Sequence, residues 1–241
     1  MFIVTVAVAA VTTSILSAVA GLGGGVILLA VIAQFVAPTV AIPIQGAIQL
    51  ASNSSRAWFL RDDVSWAPVG WSSILLLPAS LLGVAVAASL PDDTMRLVLA
   101  CFVLVLAWRP SLLKWRSSES LPRPALVAVG GVSGFVNTTV GASGPVASPF
   151  FKAATATHVA FVATAAVTQV FAHAAKLVAF TADGWNVSDH VGVIAVGIGG
   201  VVIGSRIGTR LVGRISEQRL GTLFRVVLTA LAVRLIVTAI A

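Results

Sequence analysis

Charged side chains are scarce here, and acidic ones scarcest. Only 10% of the 241 residues are charged and 58% are hydrophobic, whereas a soluble domain carries about 25% charged residues. Mean hydropathy is +1.04. That balance excludes an ordinary soluble domain and marks an integral membrane protein. Apolar segments long enough for helices occur throughout, which excludes a β-barrel and predicts an all-α fold. The 8 acids are Asp62, Asp63, Asp92, Asp93, Glu119, Asp183, Asp189 and Glu217, and all fall in expected loops or at segment ends. No carboxylate is left in mid-membrane to neutralise a cation or relay protons, as such groups do in many pumps.

Other absences narrow the chemistry. The single cysteine, Cys101, excludes an internal disulfide framework and a Cys-based metal site. There is no phosphate-binding Gly-x-x-x-x-Gly-Lys-Ser/Thr loop and no His-Glu-x-x-His. Three separated histidines (His158, His173, His190) make no persuasive metal site. No nucleophile with a base and an orienting acid can be assembled. The expectation is a non-enzyme without a cofactor. Met1 to Ala20 lacks the positive start of a signal peptide and reads as a retained first segment. The net charge of +7 is better explained by membrane topology than by nucleic acid, because the cations cluster in particular loops.

What is abundant is glycine, and its placement organises the chain. Gly21-Leu22-Gly23-Gly24-Gly25 separates two apolar runs. Each glycine costs a helix interior roughly 1 kcal/mol relative to Ala. The first helix is therefore expected to stop at Gly21 and the next to start near Val26. In hydrocarbon such a break must face protein or a water-filled cavity. The new helix start aims N–H groups and a positive dipole end there, which favours an anion. A second break, Gly141-Ala142-Ser143-Gly144-Pro145, follows 120 residues later. Proline suits the start of the helix that follows it.

Between the breaks the sequence divides into matching segments. The first half reads as Phe2–Ala20, Val26–Val36, Ala41–Leu60, Ala67–Leu90 and Met95–Trp108, with Pro38 and Pro43 separating the second from the third. The second half reads as Pro124–Val140, Pro145–Phe151, Ala156–Phe180, Val191–Ile207 and Leu220–Ala239. Six pairs share an offset of 120: Gly21/Gly141, Gly24/Gly144, Gln49/Gln169, Asn53/His173, Arg56/Lys176 and Asp63/Asp183. A small-residue ladder, Ala79, Gly83 and Ala87, matches Gly200, Gly204 and Gly208 at 121. Such ladders let helices approach closely in lipid, inside one chain or in a homodimer. The expected organisation is a first membrane repeat over 1–116, a cytoplasmic linker over 117–123 and a second repeat over 124–241.

Five crossings per half would put twelve cations on one side: Arg56, Arg61, Arg109, Lys114, Arg116, Arg123, Lys152, Arg206, Arg210, Arg214, Arg219 and Arg225. Arg96, Lys176 and Arg234 would lie on the other. The first side is then cytoplasmic, and an odd crossing number makes the repeats inverted, as in many carriers with a midplane site. Four crossings per half would give parallel repeats but misplaces Arg206 to Arg219. Val26–Val36 spans about 17 Å at 1.5 Å per residue, short of a core of roughly 30 Å, so interrupted, re-entrant helices are expected.

The third segment of each half carries the polar residues. Gln45, Gln49, Ser52, Asn53 and Arg56 stand in one; Thr164, Gln169, His173 and Lys176 stand in the other. Positions 45, 49, 52 and 56 share a helix face, as do 169, 173 and 176. Such a stripe either hydrogen-bonds neighbouring helices or lines a substrate path. Arg56 and Lys176 either snorkel to an interface or attract substrate. Asn137, Thr138 and Thr139 before the second break, and Ser14 and Ser17 before the first, either cap the broken helix or hydrogen-bond an oxyanion.

The glycine run, its partial copy at Gly141 and the polar third segments resemble the sulfite exporter TauE/SafE family, the toluenesulfonate uptake permease group. The resemblance covers essentially the whole chain. It implies a multi-pass inner-membrane carrier for a sulfur-containing anion such as sulfite or an organosulfonate like sulfoacetate. The implied site is the two glycine tips with Gln49, Asn53, Gln169 and His173. With the stripe and the residues beside the tips, the candidate substrate-binding set is Gly23, Gly24, Gly25, Gln45, Gln49, Asn53, Arg56, Asn137, Thr138, Ser143, Gly144, Gln169, His173 and Lys176. An anion channel and a non-transporting membrane subunit are the alternatives.

Overall fold

The structure is a computed structural model that describes residues 1–20, 24–109, 121–211 and 217–240. The expectations for Gly21, Gly23 and residues 117–120 lie outside the described residues. Every regular element among the described residues is helical. In chain order they are α1 (Phe2–Ala20), α2 (Gly24–Ile32), α3 (Pro38–Phe59), α4 (Trp66–Ser73), α5 (Leu76–Ser89), α6 (Asp92–Trp108), α7 (Arg123–Thr139), α8 (Gly144–Ala153), α9 (His158–Ala182), α10 (Val191–Leu211) and α11 (Glu217–Ile240).

Boundaries follow local chemistry. Pro38 and Pro145 stand in the first turns of α3 and α8, where a missing N–H costs nothing. Asp92 and Asp93 open α6, placing negative charge at the positive end of its dipole. Thr157 caps α9 by accepting from Ala160 N at 3.0 Å, so that helix begins at His158 and not at Ala156.

Three boundaries correct the sequence reading. α2 begins at Gly24, two residues before Val26, so two glycines lie inside its first turn. They are there for close approach. A Cβ at Gly24 would meet Thr13 O, and one at Gly25 would lie 3.1 Å from Gln49 Nε2. Pro43 does not separate segments, because α3 runs through it from Pro38. The expected single span Ala67–Leu90 is two helices, α4 and α5, bent by 45°. Pro78 explains the bend: it has no N–H for Ile74 O and its ring crowds that carbonyl. The Ser72 and Ser73 hydroxyls also turn back to Val69 O at 3.1 and 2.8 Å, a local competition that bends helices.

Packing runs crosswise between residues before and after the linker. α1 lies against α10, α7 against α5 and α4, α3 against α9, and α6 against α11. The small-residue ladders are used inside the chain. A Cβ at Gly83 would meet Thr138 Oγ1 and sit 2.8 Å from Phe135 O of α7. One at Gly200 would lie 2.7 Å from Ala10 Cβ, and one at Gly204 would meet Val11 O of α1. Ser14 donates to Val201 O at 2.9 Å and pairs with Ser205 at 2.8 Å across the α1–α10 contact.

α2 is buried on nearly every side, with Leu28, Leu29, Ala30 and Ile32 fully enclosed. That suits its uniformly apolar sequence. The outer surface is apolar too. Leu77, Leu81 and Leu82 of α5 and Leu223, Val226, Val233 and Val237 of α11 are exposed, as lipid contact requires. Trp58, Phe59, Trp66 and Trp108 are exposed near helix ends, the position of interfacial aromatics. His158–Ala182, Val187–Gly208 and Gly221–Ile240 are each long and apolar enough to cross a membrane, and the bent α4–α5 pair makes a fourth if taken as one.

Gly204 and Gly192 lie on one helix but in different surroundings, since a Cβ at Gly192 would meet nothing within 4 Å. Gly204→Leu is expected to cost about 1–3 kcal/mol by overpacking against α1. Gly192→Ala is expected to stay within about 0.5 kcal/mol of wild type. Thermal unfolding of both variants in one detergent checks the contrast.

Candidate functional site

α3 and α9 each bring a polar face to a central cavity, and α1, α2 and α8 complete its walls. The cavity holds about 1010 Å³ of empty space, counting its open mouth. From α3 come Gln45, Gln49, Ser52, Asn53 and Arg56, which recur at helical spacing and so share one side. From α9 come Gln169 and His173, with Phe161 and Val162. Phe151 of α8 and Phe161 are buried and form an apolar wall. Along α3, Gln45 and Asn53 are buried, while Gln49, Ser52 and Arg56 are half-buried.

Both interrupted helices start at this cavity. Gly24 and Gly25 open α2, Gly144 and Pro145 open α8, and all four line it. First-turn amides have no partner within their own helix, so each start offers donors. The two are unequal. In α8, Val146 N and Ala147 N both return to Ser143 O at 3.0 and 2.9 Å, and Pro145 has no N–H. Only the Gly144 amide remains without a partner among the described residues.

A glutamine stands over each start. Gln49 Nε2 lies 3.1 Å from where a Gly25 Cβ would be, and Gln169 Nε2 lies 3.8 Å from the same point on Gly144. Neither glutamine side chain has a hydrogen-bond partner among the described residues. Gln45 differs, because both its ends are used. Its Nε2 donates to Gly25 O at 3.2 Å and its Oε1 accepts from Lys176 Nζ at 3.1 Å. Asn53 Nδ2 donates to Gln49 O at 2.9 Å. The Arg56 side chain has no ion pair or hydrogen bond among the described residues. His173 is buried and its Nδ1 has no hydrogen-bond partner among the described residues.

Of the candidate residues, the structure thus brings Gly24, Gly25, Gln45, Gln49, Asn53, Arg56, Gly144, Gln169 and His173 together. Four others are elsewhere. Asn137 donates to Ala172 O at 3.0 Å and Thr138 to Gly134 O at 3.0 Å, behind the cavity wall. Ser143 is buried with an unpartnered hydroxyl and does not line the cavity. Lys176 is fully buried and donates to Gly141 O at 2.9 Å as well as to Gln45. It does not snorkel, and it is not the lining counterpart of Arg56. Gly23 lies outside the described residues. Thr164, of the same polar stripe, instead accepts from Ser65 N at 3.0 Å. The candidate set did not include Thr13, Ser14, Ser17, Ser52 and Ser148, which also line the cavity. Ser148 was legible as the residue one turn after Gly144.

The lining residues include one arginine, one histidine, three glutamines, an asparagine and two helix starts, and no carboxylate. Such a wall offers N–H donors and positive potential to a solute. An apolar-coated helical bundle around a polar cavity has the plan of a membrane transporter. The model of the protein family described as Sulfite exporter TauE/SafE matches residues 6–235, nearly the whole chain, and the protein belongs to that family. Membership makes it an integral membrane protein and a transporter of sulfite or related anions. No curated protein and no solved structure matches the chain.

A hydrogen bond to a charged partner contributes about 1.5–3 kcal/mol. Gln49→Ala and Gln169→Ala are each expected to weaken sulfite binding about tenfold or more. Thr138→Ala, behind the wall, is expected to leave it unchanged. Thermal-shift titration of the purified protein with sulfite measures all three.

Proposed function

We propose that the chain is a secondary carrier that moves sulfite or a small organosulfonate by alternating access, as a multi-pass protein of the cell inner membrane. The observation that carries this reading is the cavity lining, in which donors from before and after the linker converge without one acid. The anion would sit between the starts of α2 and α8. Gln49 and Gln169 would donate to its oxygens, with Asn53 and His173 beside them. Arg56, nearer the mouth, would draw it in.

The mechanism rests on two inverted repeats, residues 1–116 and 124–241, joined by 117–123. Crosswise packing supports this, since α1 on α10 and α7 on α4–α5 are the same contact with the halves exchanged. The lengths of α2 and α8, 9 and 10 residues, support re-entrant helices, because each rises only about 15 Å at 1.5 Å per residue. Along α3 the lining runs from buried Gln45 to half-buried Arg56, near the end followed by Arg61, and we take that end as the mouth. By the charge asymmetry that end is cytoplasmic, so the reading is of an inward-open carrier. Rocking one set of helices against the other would then expose the same site outward.

The test is transport in proteoliposomes. Uptake of labelled sulfite is expected to saturate and to accelerate when unlabelled sulfite is preloaded inside, as an exchanging carrier requires. Flux without saturation or trans-stimulation would mean a pore, and absence of both flux and binding would mean a non-transporting subunit. Arg56→Gln is expected to raise the sulfite KM, and the rise should shrink as salt increases from 10 mM toward 1 M, because the Debye length falls from about 30 to 3 Å.

A further inference from the structure

Lys176 is the one buried lysine or arginine among the described residues, and the cavity reading gives it no role. It lies on α9 beyond Gln45, the deepest lining residue of α3. Its Nζ donates in two directions. One hydrogen bond goes to Gly141 O at 2.9 Å. Gly141 has φ +78, a backbone state suited to glycine, and is where the chain leaves α7 for α8. The other goes to Gln45 Oε1 at 3.1 Å, and Gln45 Nε2 continues to Gly25 O at 3.2 Å, in the first turn of α2. One side chain thereby holds a carbonyl at the second break directly and one at the first through a single glutamine. Gly46 makes the room, because a Cβ there would lie 2.7 Å from Lys176 Cδ.

We propose that Lys176 is a positioning residue that fixes the starts of α2 and α8 relative to each other, so that both can address one anion. The role in transport rests on the anion-carrier reading of the cavity; the mechanical role does not. Lys176 does not line the cavity itself and hydrogen-bonds to the lining residue Gln45. Its effect passes by way of Gly141 O and Gly25 O to the amide ends of two helices. A lysine suits the task because one nitrogen carries several N–H donors on a flexible stem. It can therefore join acceptors from α3 and from the α7–α8 break, where a methionine of similar length would fill the space and join neither.

Two variants separate this role from simple packing. Lys176→Met keeps the volume and removes the donors. Gly46→Ala keeps every polar group and displaces the lysine stem. Hydrogen–deuterium exchange needs no ligand, and in both variants amides of residues 27–30 and 146–148 are expected to exchange about tenfold faster than in wild type, equivalent to 1.4 kcal/mol, with α6 and α11 unchanged. An unchanged rate at either start overturns the proposal, and so does a rise spread equally over α6 and α11, which would mean general loosening.

Transport supplies the second readout. Sulfite KM in proteoliposomes is expected to rise about tenfold in Lys176→Met, with a smaller change in kcat. Gln45→Met should raise KM as well, and the double variant should fall short of the product of the two effects, as residues in one hydrogen-bonded chain do. Multiplying effects would mean that Lys176 meets the anion itself and would overturn the proposal. A wild type that neither binds nor moves sulfite overturns the anion-carrier reading instead, and the exchange result still decides what Lys176 holds.

Discussion

Backbone amides and carbonyls inside a bilayer need partners, and each interrupted helix exposes both kinds. Here the two kinds are treated differently. Gly25 O takes a donor from Gln45 and Gly141 O takes one from Lys176. These two carbonyls are thus satisfied within the bundle, while the starts of α2 and α8 face the cavity. The result is a pocket edged by two helix starts whose nearby Gly25 and Gly141 carbonyls are already occupied. Anion preference then follows from where the unmet hydrogen bonds point, reinforced by a lining without carboxylates.

Holding such breaks in register requires close helix contact without long side chains. Gly83 of α5 against α7, and Gly200 and Gly204 of α10 against α1, provide it, and serines stitch the same contacts, Ser80 to Gly134 O at 3.4 Å and Ser14 to Val201 O. Polar residues off the cavity mostly serve this framework. Thr138, Asn137 and Thr164 are hydrogen-bonded to helices and loops around the site. Framework and site therefore draw on the same residue types, and only packing tells them apart.

That shared vocabulary marks the limit of the sequence. Glycine breaks, helix order and the facing pair Gln49 and Gln169 were legible, because helix cost and 3.6-residue spacing are local properties. The α4–α5 bend has a local cause as well, Pro78 inside an apolar run, but hydropathy alone reads Ala67–Leu90 as one span. Asn137 and Thr138 were not separable from lining residues, because their partners come from other helices. Matching Arg56 with Lys176 by offset hid their opposite fates. Lys176 is enclosed because Gly46, on a different helix, vacates the volume its stem occupies. Phe151 and Phe161 gave no signal at all, one aromatic among many in an apolar chain.

The two helix starts are not equivalent. In α8, Pro145 brings no N–H and the Val146 and Ala147 amides turn inward to Ser143 O, and a fully enclosed lysine stands where the matching position carries a cavity-facing arginine. If the halves exchange conformations during transport, mirror-image sequences would make the two end states isoenergetic. This chain lacks that degeneracy. Under the alternating-access reading it would carry a resting bias toward one face, present before any solute gradient or voltage is applied, and its loading and unloading steps would differ in intrinsic affinity.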